Sequence, residues 1–415
     1  MNTWMGRRLT NAEIIAVWCA FAWLLLIMDA FFTWMISPLV RNYVSMLIVV
    51  FATLLLIKSG NTLVDRKRIL LFFSVFLLFF YIVFFKKALR YALAVYIPLM
   101  CFVFWEDRLI LRVYELFKKF ILFYAFVSII VEFLVLTGLI DHLPHLVMPP
   151  QDSVQEQLNV ENYVYGLFVV PRSNSDLVFY RACGPLREGG HFAIFLGFVY
   201  FIERLVSDRK RFALIIAGFL TLSPNFLLFF FFSEFFYSAR KKRGGRFLLS
   251  FVAVIASLVG LYFILPFEIQ TEVLRIVYER TLEGSLSSVG SEGLLALLDG
   301  RTNAAGMSMY SQLIVNGQIG AKLFGVNDYQ FFTDYVLSDF RYLIVLYGFV
   351  GFALYLFYIL SFSFTRGDVL FGTFVLLMAV CVLLQRAWMF EQVYIVVMML
   401  FATTACRNQQ SLVLV

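Results

Sequence analysis

The chain has 415 residues, of which 62% are hydrophobic and 15% charged, with a formal net charge of +7. Soluble domains are about half apolar and a quarter charged, so this composition excludes a soluble globular protein. The 50 phenylalanines and 21 tyrosines suit helices packed against acyl chains and interfaces, and the expected fold class is an all-α polytopic membrane protein.

A helix crosses the hydrocarbon in about 20 residues. Apolar runs predict spans over 14–36, 43–57, 69–85, 88–105, 117–140, 191–206, 212–223, 225–239, 247–265, 341–361, 368–385 and 388–405, about twelve in all. The pairs 43–57/69–85 and 212–223/225–239 each have a short member. The first span follows "MNTWMGRRLT"; it is too long, and lacks the small-residue cleavage site, for a signal peptide.

Lys and Arg set the orientation. With the amino terminus inside, the inner segments hold Arg7 and Arg8; Lys58 and Arg66–Arg68; Arg108, Arg112, Lys118 and Lys119; and Arg204 and Arg209–Arg211. They also hold Arg240–Arg243, Arg246, Arg366 and Arg407, so most of the 34 basic residues fall on one side. Both termini are expected in the cytoplasm. The positive charge then anchors a topology and calls for no nucleic-acid partner. Cys19, Cys101, Cys381 and Cys406 lie in or at the ends of spans and Cys183 stands alone in an outer segment, so no disulfide framework is implied.

Several polar groups interrupt the apolar runs on the outer side. Asp29 and Glu132 occupy the outer halves of their spans, where an ionisable group is costly, about 3 kcal/mol at the bilayer centre on insertion scales. They read as helix-packing partners for outer arginines or as participants in chemistry. "FFKKALR" puts Lys86, Lys87 and Arg90 outside against the inside bias; these either hold a lipid pyrophosphate or anchor two span ends at headgroups. "DHLPH" sets Asp141, His142 and His145 close together. This is a polar loop start or, less simply, a metal site, although no D-x-D of the kind that clusters hard ligands occurs in the chain.

Two segments are too long to be plain connectors, 141–190 and 266–340, and both fall on the outer face. Long loops in compact architectures are usually functional or disordered. The first ends in "RACGPLREGGHFAIFL", residues 181–196. Gly184, Gly189 and Gly190 let the backbone turn tightly or approach a ligand. Arg181 and Arg187 are planar donors suited to phosphate, and Glu188 precedes a helix start, where the dipole favours a carboxylate. The same residues also read as a capped helix with interfacial arginines, and residue types alone leave both open. The second segment carries "PFEIQTEVLRIVYERTLEG", whose spacing predicts an amphipathic surface helix bearing Arg275 and Arg280. It continues with "LDGRTN", around Arg301, then "LFGVNDY" and "SDFRYLIVLYGFVGFALYL". There is no fixed-period repeat and no inverted pair of broken helices of the transporter kind.

On these motifs the chain resembles the Wzy-type O-antigen and capsule polymerases. "RACGPLREGGHFA" is similar to that family's R-x-x-G-x-x-x-E-P-x-x-x-A element, with Gly189 where proline is common. "DGR", "FGVN" and "YGFVGF" are similar to its S-G-R, G-x-G and G-x-x-G elements, with Asp299 where serine is common. The resemblance implies a GT-C-like bundle in the bacterial inner (cytoplasmic) membrane with two large periplasmic loops. It implies a metal-independent glycosyltransferase without cofactor, acting on undecaprenyl-pyrophosphate-linked glycans beside a flippase and a chain-length regulator. Catalytic roles would fall to Glu188, Arg181 and Arg301. Substrate binding would fall to Arg187, Gly184, Arg275 and Arg280, with Lys86, Lys87 and Arg90 toward the lipid carrier. The alternatives are an O-antigen ligase, disfavoured because 266–340 contains no histidine, and a lipid-linked-oligosaccharide flippase.

Overall fold

The computed structural model describes residues 9–28, 30–148, 160–173, 182–186, 188–206, 211–221, 223–245, 247, 249, 252, 304–326, 339–364, 369–390 and 393–413. The chain divides into two compact units. The first comprises Met1–Phe230, Ala353–Cys381 and Met389–Val415, the second Phe231–Phe352 and Val382–Trp388. The described residues are mostly helical.

In the first unit the helices are α1 (Asn11–Ile27), α2 (Pro38–Lys58), α3 (Arg66–Lys86), α4 (Leu89–Val103) and α5 (Asp107–Leu136). After a small sheet come α6 (Gly189–Val206), α7 (Phe212–Leu220) and the start of α8 (Pro224–Arg240). α9 (Ala304–Asn316) and α10 (Ile319–Phe324) belong to the second unit, and α11 (Phe340–Phe364), α12 (Val369–Arg386) and α13 (Tyr394–Val413) follow. Helices therefore form over each predicted stretch except 247–265, most of which lies outside the described residues. Val40–Lys58, Arg66–Lys86, Asp107–Leu136 and Phe340–Phe364 are each long and apolar enough to cross a membrane; α1, α4, α12 and α13 supply shorter apolar helices.

Local chemistry sets the helix starts. Thr10 and Glu13 form a capping box on α1: the Thr10 hydroxyl accepts from the Glu13 N–H and the Glu13 carboxylate accepts from the Thr10 N–H, at 3.3 and 2.7 Å. Ser37 caps α2, with Pro38 at its first position, and Asp65 caps α3 by accepting from the Arg68 N–H at 2.8 Å. α5 begins ten residues ahead of the expected span because several charges of its first turns are paired. Arg108 donates to Glu13, to Glu106 and, at 2.9 Å, to Asn61. Lys118 donates to Glu115 at 2.7 Å and to Glu203 at 3.0 Å. A hydropathy window sees those charges as a boundary; ion pairing turns them into helix.

These pairs gather one end of the bundle. Arg68 is fully buried and donates to the carbonyls of Val103, at 2.8 Å, and Trp105, and to Asp107 at 2.7 Å. Arg407 of α13 lies 3.4 Å from Asp107, and Arg211 lies 3.1 Å from Glu203. The α1 N-terminus, the α2 C-terminus, the α3 N-terminus, the α4 C-terminus and the α5 N-terminus therefore meet at one polar end. They are the ends that the Lys and Arg distribution assigns to one side. The opposite ends of α1, α5 and α7 and the start of α6 carry the candidate site.

Between α5 and α6 the chain forms an antiparallel sheet of β1 (Leu146–Met148), β2 (Val160–Val164) and β3 (Val169–Ser173), in the order β1-β2-β3, with Leu146 opposite Val164 and Tyr163 opposite Val170. It is an addition to the all-helical expectation. Its β2–β3 turn holds Gly166 at φ +80. Val170 and Ile140 pack on Val131 of α5, with Tyr163, Tyr165 and Phe168 around them. The sheet thereby docks on the end of α5.

In the second unit, Leu313 of α9 packs on Val345 of α11, with Met309, Tyr310, Ala321, Val326 and Tyr342 against them. α11 is broken at Gly348, where φ is 66 and ψ −176. The predicted amphipathic helix around residues 269–280 lies outside the described residues.

Candidate functional site

The stretch ahead of α6 is a buried turn. Gly184 has φ +57, and a Cβ there would stand 2.8 Å from the Phe192 ring; only glycine relieves both constraints. The Leu186 N–H donates to the Cys183 carbonyl at 3.0 Å, and Ala182, Cys183 and Leu186 are buried. Two further helix ends clamp the turn. The Ala182 N–H donates to the Leu220 carbonyl at the end of α7 (3.0 Å), and the Phe31 N–H, just beyond α1, donates to the Pro185 carbonyl (2.9 Å).

Glu188 then opens α6. Its carbonyl accepts from the N–H groups of His191 at 3.1 Å and Phe192 at 3.3 Å, so Phe192 both starts the helix and packs on Gly184. Glu188 is half-buried, and its residue sits at the positive end of the α6 dipole, where a carboxylate is favoured.

Other buried polar groups lie at this end of the first unit. The tip between α7 and α8 holds Thr221, Ser223 and Asn225, all buried. Thr221 donates to the Gly218 carbonyl at 2.6 Å, whereas neither amide atom of Asn225 meets a partner. Glu132 lies near the end of α5, 8% exposed, and its buried Oε2 is unpartnered. Glu132 shares its face with Lys118, Ile121, Ala125 and Ser128, all buried. Sequence reading singled out Glu132 but passed over Asn225, whose one signal is a polar "SPN" tip between two apolar runs.

Of the other sequence-based candidates, Arg181, Arg187, Arg275, Arg280, Arg301 and Asp29 lie outside the described residues. Lys86, Lys87 and Arg90 form the turn from α3 to α4: Lys86 is buried, Lys87 and Arg90 are exposed, and Lys87 takes the left-handed conformation at φ 50. The turn ends the helix that begins in the Arg68 network, so it lies away from that polar end. His145 is engaged structurally, with its ring 5.0 Å from that of Tyr163 and 5.2 Å from that of Tyr165, and its Nδ1 is 3.0 Å from the Leu143 carbonyl.

Within the second unit, Gly325 of "LFGVNDY" and Gly348 of "YGFVGF" meet. The Val326 N–H donates to the Val345 carbonyl at 2.9 Å beside them. Asp339 and Arg341 form a buried pair, Arg341 Nε lying 3.0 and 2.9 Å from the two carboxylate oxygens with a further bond from Nη2. Burial pushes the nearby Tyr310 phenol above its ordinary pKa despite the lowering effect of Arg341. No protein-family model, curated protein or solved structure matches this chain.

Proposed function

We propose that the chain is a Wzy-type polymerase that joins polyprenyl-pyrophosphate-linked oligosaccharide repeat units at the periplasmic face of the bacterial inner membrane. One observation carries this reading. Gly184 to Leu186, within the R-x-x-G-x-x-x-E resemblance, form a buried turn ahead of α6, and Glu188 of the same element opens that helix. In this reading a hydroxyl oxygen of the incoming repeat unit attacks the anomeric carbon of the growing chain. The bond from that carbon to the phosphate oxygen breaks, and polyprenyl pyrophosphate leaves with the electron pair. The hydroxyl proton passes to the Glu188 carboxylate, a general base that contributes on the order of a hundredfold to ten-thousandfold. The arginines implicated by the resemblance, Arg181 first, meet the charge that develops on the leaving group. Lys87 and Arg90, the exposed cations of the α3–α4 turn, rest on the lipid carrier's phosphates, while Lys86 is buried beneath them.

The grouping of Arg68, Arg108 and Arg407 at one end supports a positive-inside arrangement with both termini cytoplasmic. A flippase supplies the substrate and a chain-length regulator shares the product. The test is the glycan of a deletion strain. Surface lipid capped by a single repeat unit supports the polymerase, because flipping and ligation still work; complete loss of glycan favours the flippase or ligase instead.

A further inference from the structure

Asn225 is 1% exposed, yet neither its Nδ2 nor its Oδ1 meets a hydrogen-bond partner. Buried amides in folded proteins almost always find partners, and each exception calls for an explanation. The position of this one supplies it. Asn225 lies in the first turn of α8, four residues ahead of Phe229 and therefore on the same helix face. That face packs on α6: the Phe229 ring stands 5.2 Å from the ring of Phe198 and would lie 2.3 Å from a Cβ at Gly197. One residue further along, the Phe230 ring is 5.4 Å from that of Tyr200. α7 runs back between the two helices, so α6 and α8 point the same way.

Four residues back along each helix, Asn225 stands level with Ala193, one turn inside the start of α6. At a rise of about 1.5 Å per residue this is about 6 Å from Gly189. Helical side chains lean toward the N-terminus of their own helix, which carries the Asn225 amide toward Glu188. A buried, unpartnered polar side chain thus approaches the first turn of α6.

We infer that Asn225 is a specificity-determining residue that binds hydroxyls of the glycan at the mouth of α6. An amide both donates and accepts, as does each of two adjacent sugar hydroxyls; a pyrophosphate only accepts and would be matched by donors alone. Asn225 therefore reads the sugar, and the cations read the phosphates. This inference rests on the polymerase reading.

The test uses the purified full-length protein in lipid nanodiscs, with Asn225→Leu, which is close in volume and lacks the amide. Removing a buried amide that has no protein partner leaves the fold intact or improves it, so the unliganded Tm should equal or exceed that of the wild type. The KM for a synthetic polyprenyl-pyrophosphate-linked repeat unit should rise about tenfold or more, as expected for a lost hydrogen-bonding group. Affinity for glycan-free polyprenyl pyrophosphate should not change. Asn225→Ala should show the same KM shift, which keeps the test decisive if leucine is not accommodated. A lowered Tm with an unchanged KM would make Asn225 a structural residue and overturn the inference, as would equal loss of affinity for both lipids. A wild type that elongates the substrate while both variants keep its KM sinks the inference alone. A wild type that neither binds nor elongates it sinks the polymerase reading and the inference with it.

Discussion

Gly325 and Gly348 stand back to back, both in the left-handed region at φ +72 and +66. A Cβ on Gly325 would lie 2.6 Å from the Gly348 nitrogen, and one on Gly348 would lie 2.5 Å from the Gly325 nitrogen and 2.4 Å from the Leu323 carbonyl. Backbone cannot yield to such contacts as a flexible side chain can. The contact lets α11 break at Gly348 and lay its first part against the end of α10, where Val326 and Val345 are joined.

Gly348→Ala should therefore destabilise the protein by several kcal/mol, combining a strained φ of about 1–3 kcal/mol with the displacement of backbone. Gly320→Ala is the matched control: it lies in α10, and a Cβ there meets nothing within 4 Å. It should be neutral or gain up to about 1 kcal/mol. Thermal unfolding of both purified variants checks this, and equal midpoints would contradict the close approach.

Arg68→Ala should cost about 3–5 kcal/mol, the range for removing one partner of a buried pair. It leaves the carbonyls of Val103 and Trp105 without the guanidinium that now satisfies them and takes from Asp107 the nearer of its two arginines, Arg407 remaining at 3.4 Å. Arg68→Lys should recover little, because a point charge cannot meet three acceptors set in a fork. The amount of folded protein extracted from membranes reads the effect. Wild-type levels from Arg68→Ala would show that the other pairs at this end suffice.

The helical framework was legible because apolar run length is a strong signal: α3, expected over 69–85, spans Arg66–Lys86. The start of α5 was not legible, since the partners that make its charges acceptable, Glu13, Asn61 and Glu203, are distant in the chain. The first span, expected to run to residue 36, ends at Ile27 and is followed by a short turn over Phe31–Thr33 that an apolar count cannot separate from helix. Gly184 and Glu188 were legible as a turn and a helix start because glycine and a carboxylate have few other reasons to be there. Asn225 was not, since what distinguishes it is the lack of a partner, which only packing reveals.

The proposed topology rests on the basic residues grouped at the Arg68 end. Reporter fusions near residues 160 and 300 should be active only with a periplasmic reporter, and fusions at either terminus only with a cytoplasmic one. A cytoplasmic signal near residue 160 would place the mouth of α6 on the wrong side for a periplasmic polymerase.

Glu188→Gln keeps the shape and the capping carbonyl of the α6 start but removes the proposed base. It should lower kcat by about a hundredfold to ten-thousandfold while Tm and KM stay near wild type. Arg181→Lys should remain badly impaired, since an ammonium cannot replace a bidentate guanidinium. Normal polymer length from Glu188→Gln would leave Glu188 a positioning role only.

The decisive measurement is reconstitution. Purified protein given a synthetic polyprenyl-pyrophosphate-linked repeat unit should produce a ladder of longer lipid-linked glycans, in the presence of chelator and without any lipid A core, because the proposed mechanism has guanidinium groups meet the leaving pyrophosphate and takes a second copy of the donor as acceptor. No ladder from folded protein would contradict the polymerase reading. A ladder that vanished with chelator and returned with a divalent ion would contradict the metal-free chemistry, and would direct attention to Asp141, His142 and His145.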